Sequence, residues 1–344
     1  MSHGRDAHAT IILPPEEPMT LLESFLLSFL QGATEFLPIS SSGHLVLAAQ
    51  LAEERGFGSV ASGAENLQFA ILVHVGTLLA IGFVFRDTLL QLARYLLGEG
   101  WRRTRNEGFA AAWLADPRGR LISAVILATV PTGLIGFLGK DYFEALFSRP
   151  DRVGWALCVT AFLLALTFFR SGGRENGVPD AGPALSPGAE RKANRAEPRR
   201  GAAAGARLPG YPFPLWISVA VGVAQGLAIT PGVSRSGATI SVALLLGMSR
   251  RAAGEFSFLI AVPAILGALL LQVLDVLEGG AAGAAGAPSA GASLSLSAGA
   301  LAFVVSCLSG YVFLRLLLRF LRGGQFSYFS VYCLAVGLWA IWRF

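Results

Sequence analysis

Long apolar runs, broken at intervals by short polar clusters, set the pattern of this chain. The charge-free runs 121–139, 153–169 and 299–314 approach the length that crosses a hydrocarbon core about 30 Å thick. The pattern predicts six full spans, at about 67–85, 121–139, 153–169, 254–274, 298–314 and 326–342. Two further apolar stretches, 19–51 and 213–248, are each interrupted by Pro, Ser and Gly, and neither half of either is long enough to span. A broken helix persists at membrane depth only where protein or a wet cavity satisfies the freed backbone groups. Both stretches are therefore expected to be re-entrant hairpins with tips inside the membrane. The predicted fold class is an all-α integral membrane protein: six transmembrane helices plus two re-entrant helical hairpins.

Composition supports that picture. Of 344 residues, 53% are hydrophobic and only 14% charged, against about 25% charged in a soluble domain. The net charge of +5 comes from loop arginines and does not point to nucleic acid. Cys158, Cys307 and Cys333 lie in apolar runs without metal-ligand spacing and read as packing residues. The polar stretch 1–18 lacks a basic region leading into an apolar one, so it reads as an extension and not as a cleaved signal peptide.

Loop charge sets the expected orientation. Segment 86–120 carries seven Arg and four acids, and 172–210 carries seven Lys/Arg and four acids. Segment 52–66 has one base and three acids, and 275–296 has two acids and no base. The positive-inside rule puts the Arg-rich loops in the cytoplasm, every span then alternates, and both termini fall outside. The expected organisation is a first membrane repeat at 19–170, a disordered cytoplasmic linker at 171–210 and a second repeat at 211–344. A low-complexity external loop lies at 279–292.

The repeat is visible as self-similarity. A shift of 194 residues lays Gln31-Gly32 on Gln225-Gly226, and Ser40, Ser42 and Gly43 on Ser234, Ser236 and Gly237. A shift of 187 lays 69–80 on 256–267. The matched spans run in opposite directions under the charge-based orientation, so the halves read as an inverted-topology repeat. Such plans place the working site at the repeat interface near mid-membrane.

The two hairpins read QGATEFLPISSSGHLVL and QGLAITPGVSRSGATISVALLLG. Together they carry Glu35, His44, Arg235 and the hydroxyls of Ser40, Ser41, Ser42, Ser234, Ser236 and Thr239 into apolar surroundings, where ionisable groups mark function by default. The bland alternative is a Glu35–Arg235 pair that only locks the hairpins together. Ser/Gly turns that open helices offer hydroxyl and N–H donors, and so favour phosphate. Arg235 adds a bidentate fork. A carboxylate beside a phosphate needs a hard cation or a proton between them, and an imidazole brings acid–base or nucleophilic capacity. His74, alone on an apolar helix, reads as structural.

At these residues the chain resembles the undecaprenyl-diphosphate phosphatase family, the bacitracin-resistance type. The family pattern Glu/Gln-x-x-x-Glu followed by F-L-P-x-S-S-[ST]-G-H matches 31–44, P-G-x-S-R-S-x-x-T matches 231–239, and E-F-S-F-L-x-A-V-P matches 255–263. The resemblance implies hydrolysis of undecaprenyl diphosphate to undecaprenyl phosphate and inorganic phosphate, at the external side of the bacterial inner membrane. It implies Mg²⁺ or Ca²⁺ as cofactor, and bacitracin as a competitor for the lipid diphosphate. Carried over, Glu35, His44 and Arg235 are the essential set and Ser41 is a nucleophile candidate, with His44 the alternative. Ser40, Ser42, Gly43, Ser234, Arg235, Ser236 and Thr239 would bind phosphate. Glu35 and Gln31 would face the metal, although Gln31 stands where some members carry a second Glu. The expected partners are the lipid substrate and the bilayer. A homodimer is compatible with the reading, and nucleic acid is not expected. The competing readings are a transporter or flippase of a phosphorylated polyprenyl lipid and a lipid-diphosphate receptor. Phosphatases of the phosphatidic-acid type require a His after the Ser-Arg motif, and none follows Arg235.

Overall fold

The computed structural model describes residues 19–55, 67–147, 149–170, 213–277 and 294–344. The extension 1–18, the linker 171–210 and the loop 279–292 fall outside the described residues. Every regular element among those described is helical.

The first broken stretch is α1 (Leu21–Phe36) and α2 (Ser41–Glu54), and the second is α9 (Leu215–Leu227) and α10 (Arg235–Leu245). Between them lie α3 (Leu67–Val84), α4 (Arg86–Arg94), α5 (Gly100–Glu107), α6 (Pro117–Leu138), α7 (Lys140–Phe147) and α8 (Pro150–Arg170). After them come α11 (Arg250–Leu277), α12 (Leu296–Arg322) and α13 (Phe329–Arg343). The spans at 117–138, 150–169, 250–274 and 296–322 are each long and apolar enough to cross a membrane. A fifth arises if the bent pair α3 and α4–α5 counts as one.

Two predicted elements differ in detail. Segment 86–120, expected as a loop, folds into helices, and the chain turns by 84° between α3 and α4–α5, where Arg86 and Asp87 first appear. Charge leaves the apolar layer, and the chain turns with it. The span expected at 326–342 opens with a 3₁₀ turn at Phe326–Tyr328, and α13 has 15 residues. At 1.5 Å per residue it reaches about 22 Å, short of a full hydrocarbon core.

Buried apolar side chains, among them Phe36, Phe256, Phe258 and Leu314, form a core between the helices, and the outer faces are apolar too. Phe83, Val130, Leu134, Phe137, Trp155, Phe162, Leu270, Leu308 and Val331 are exposed, the outward apolar belt expected where lipid replaces water. Inside, small residues let backbones approach. A Cβ on Gly32 of α1 would lie 2.0 Å from Ser309 Oγ of α12, and one on Gly222 of α9 would lie 2.1 Å from Ala128 O of α6. Thus α1 packs on α12, α9 packs on α6, and α8 and α13 pack on each other.

Candidate active site

The hairpin tips are brought together by their own backbone chemistry. Ser40 closes the first break, and its Oγ accepts from Gly43 N at 3.2 Å. In the second break Ser234 Oγ accepts from Gly237 N at 3.1 Å. Each serine thus caps the helix that follows it. Ser40 adopts φ 70°, the one positive value among the described non-glycine residues, in a region costly for an L side chain. It is held there by His44, whose Nδ1–H donates to the Ser40 carbonyl at 2.7 Å. On the second tip Gly232 has φ 95° and lies against α8, where Thr160 Oγ donates to its carbonyl at 3.0 Å. The tips meet glycine to glycine: a Cβ on Gly43 would sit 2.9 Å from Gly232 Cα. Ser236 Oγ also donates to Leu37 O at 3.2 Å.

This contact aligns the chemical groups. Arg235 forms an ion pair with Glu35 through Nη2 and Oε1. The other carboxylate oxygen, Oε2, accepts from Ser41 Oγ at 2.6 Å and from Gln31 Nε2 at 3.0 Å. Glu35 is buried, whereas Ser41 and Arg235 are partly open. All three line a cavity of about 640 Å³, together with Thr34, Ser40, Ser42, His74 and Ser234. Its walls are apolar and come from Thr129–Phe137 of α6 and Pro263–Gln272 of α11. Phe137, Leu270 and Leu271 line it while remaining 75%, 59% and 53% exposed, so it opens sideways between α6 and α11 toward the lipid-facing surface.

The remaining expected residues sit elsewhere. His44 lies beside the cavity, not in its lining: its ring stacks on Tyr332, and Nε2 accepts from the Tyr332 hydroxyl at 2.7 Å. Thr239 is buried and turns toward Ser257 Oγ at 2.5 Å. Ser236 and Gly43 serve the tip contacts. Two residues escaped the sequence reading. Tyr332 belongs to no motif and reaches His44 only through the fold. His74, read as structural, lines the cavity, with Nε2 3.4 Å from Gln31 Nε2. The 187-residue shift sets this histidine against Ala261, and that polar-for-apolar mismatch was the signal available.

Metal-ligating chemistry is sparse. No group of three or more His, Cys, Asp or Glu among the described residues is placed to hold an ion. The oxygens present do fit a hard cation that also takes phosphate oxygens, since Mg²⁺ commonly uses one or two carboxylates plus its substrate. Gln31 Oε1 is buried without a hydrogen-bond partner, next to Glu35.

Comparison with known proteins agrees with the motifs. The family model for the bacitracin resistance protein BacA matches residues 24–339. An undecaprenyl-diphosphatase of Carboxydothermus hydrogenoformans is 35% identical over 321 residues, covering 93% of this chain and 96% of the relative. One of Desulfosudis oleivorans is 37% identical over 326 residues, covering 94% and 98%, and one of Desulfatibacillum aliphaticivorans is 35% identical over 326 residues, covering 93% and 97%. The match spans nearly the whole chain and both hairpins: the protein belongs to the bacitracin resistance protein BacA family.

Proposed function

We propose that this protein is an undecaprenyl-diphosphate phosphatase whose nucleophile is Ser41 and whose general base is Glu35. The observation that carries the reading is the 2.6 Å hydrogen bond from Ser41 Oγ to Glu35 Oε2, inside a cavity that also holds Arg235. A serine is a weak nucleophile until a neighbouring base takes its proton, and Glu35 is already at bonding distance. His44 has both ring nitrogens committed, to Ser40 O and to the Tyr332 hydroxyl, which favours Ser41.

In the reaction, Ser41 Oγ attacks the terminal phosphorus and passes its proton to Glu35. The bond between that phosphorus and the bridging oxygen breaks, and undecaprenyl phosphate leaves. Water then cleaves the phosphoserine, releases inorganic phosphate and restores the serine. Arg235, freed from Glu35 by the incoming diphosphate, takes two phosphoryl oxygens on its planar fork. The cap at Ser234 lends N–H groups at the start of α10. Mg²⁺ or Ca²⁺ would be held by Glu35 with Gln31 Oε1, and when bound would supply the positive charge that lets carboxylate and diphosphate coexist. The sideways opening suits a ligand with a charged head and a long apolar tail, since the tail can stay among the acyl chains.

The arrangement we adopt is six spans, the last made by the 3₁₀ turn and α13 together, with two re-entrant hairpins in inverted repeat. Its support is the reciprocal packing of α1 on α12 and α9 on α6. The cavity uses the C-terminal halves of α6 and α11, far from the basic segment 86–120 that leads into α6 and from Arg250 and Arg251 that open α11. That location favours an active site facing the external side of the bacterial inner membrane, where bacitracin would compete for the same lipid.

Purified protein given undecaprenyl diphosphate and Mg²⁺ should release inorganic phosphate. Ser41→Ala, Glu35→Gln and Arg235→Ala should each lower kcat by about 10²-fold or more. Lipid crossing a liposome bilayer with no phosphate released would replace this reading with a carrier.

A further inference from the structure

Both hairpin glutamines point at the next long helix of their own half. Gln225 Nε2 lies 3.3 Å from Ile260 O on α11 and donates to it, and it also donates to Thr132 Oγ at 3.3 Å. Its repeat partner Gln31 has its Nε2 between Glu35 Oε2 at 3.0 Å and His74 Nε2 on α3 at 3.4 Å. The second half thus anchors its amide on a backbone carbonyl. The first half has placed an imidazole at the equivalent contact, in the wall of the cavity.

The tautomer of that imidazole is fixed by its own helix. His74 Nδ1–H donates to Ala70 O at 2.7 Å, so in this tautomer Nε2 carries the lone pair and accepts. The amide of Gln31 then has one orientation that satisfies its surroundings. One N–H goes to Glu35, the other goes to His74, and Oε1 is left without a partner. Rotated by half a turn, the amide would set its carbonyl against the carboxylate and a lone pair, both repulsive.

From this geometry we infer that His74 is a positioning residue for the reaction. It fixes the Gln31 amide so that Gln31 donates to Glu35 Oε2, which keeps that oxygen aimed at Ser41. His74 itself touches neither Ser41 nor Glu35 by any hydrogen bond found among the described residues. Its role is that of an acceptor, which another acceptor can fill. The inference rests on the proposed hydrolase reading for its kinetic consequence, but the contact itself is independent of it.

The test compares His74→Gln with His74→Met, both compatible with an apolar helix, in steady-state phosphate release from undecaprenyl diphosphate. A glutamine carbonyl can accept from Gln31, whereas a methionine thioether does so poorly. His74→Met should lower kcat by about 10-fold or more with KM changed less than about 3-fold, as loss of an outer orienting partner does. His74→Gln should stay within about 3-fold of the parent. Adding His74→Met to Gln31→Met should lower the rate little below that of Gln31→Met alone, because His74 acts through Gln31. Parent-like kcat in His74→Met, or a His74→Gln variant as slow as His74→Met, overturns the assignment. A second readout needs no turnover. In ¹⁵N-histidine spectra, Gln31→Met should move the resonance that disappears in His74→Gln. An unmoved resonance breaks the contact even if the parent protein cleaves the lipid. A parent that releases no phosphate while the resonance moves refutes the hydrolase reading alone.

Discussion

Glu35 serves three donors at once: a guanidinium, a hydroxyl and an amide. A carboxylate so engaged is well placed to be a base only if one donor gives way, and Arg235 is the one that a diphosphate can draw off. Arg235→Lys keeps the charge but loses the planar fork, so kcat should fall by about 10-fold or more in phosphate release while the protein still folds. Gln31→Glu should act in the opposite sense on the cofactor. A second carboxylate beside Glu35 should lower the Mg²⁺ concentration needed for half-maximal activity, measured by titrating chelated protein. The contact between tips makes Gly43 intolerant. Gly43→Ala puts a methyl against backbone on the other hairpin and should destabilise by about 1–3 kcal/mol, seen as a lower melting temperature in detergent. At this scale Glu35, Ser41 and Arg235 were legible because polar residues stand out in apolar runs. His74 and Tyr332 were not. A histidine on an apolar helix looks the same whether it faces lipid or a cavity, and a motif string does not say that Thr239 turns to Ser257 while Ser41 turns inward.

Single helices carry their own signals, and their ends are where the sequence spoke most clearly. Asp116 caps α6 by accepting from Arg118 N at 2.8 Å and also faces the guanidinium groups of Arg103 and Arg118. Burial alone would raise its pKa, but the hydrogen bonds and charge of Arg118 outweigh that and hold it below the ordinary carboxylate range. Its stabilising effect is therefore full above that range and fades as pH falls through the lowered value. Asp116→Ala should cost about 0.5–2 kcal/mol at neutral pH, and the gap between the two melting temperatures should narrow on acidification. The breaks in both hairpins were readable from Pro, Ser and Gly. The folding of 86–120 into helices was not, because its seven arginines interrupt the apolar positions, such as Leu90 and Leu97, that would mark a helix face. The short reach of α13 was hidden as well, since apolar length alone does not show where a 3₁₀ turn replaces the first helical turn.

Across the whole molecule the two halves interlock rather than sit side by side. The α1–α12 and α9–α6 contacts each close on a glycine, so Gly32→Ala and Gly222→Ala should both lower thermal stability in detergent. A larger substitution, Gly222→Leu, should prevent assembly, read as loss of the monodisperse peak on size exclusion. The reciprocity of these contacts is what matched segments with matched apolar faces would produce. The cavity was not foretold, since its walls at 129–137 and 263–272 are ordinary apolar helix in the sequence. The ion pair between Glu35 and Arg235, one charge from each half, has a consequence for electrical behaviour. Two opposite charges that move together carry no net charge through a transmembrane field, whereas an unpaired charge contributes about 2.3 kcal/mol per 100 mV. The resting tips can therefore shift without sensing voltage, and an imposed potential across proteoliposomes should leave the empty protein's conformation unchanged. A lipid diphosphate entering the cavity would bring net charge between the tips and make them responsive to the membrane potential.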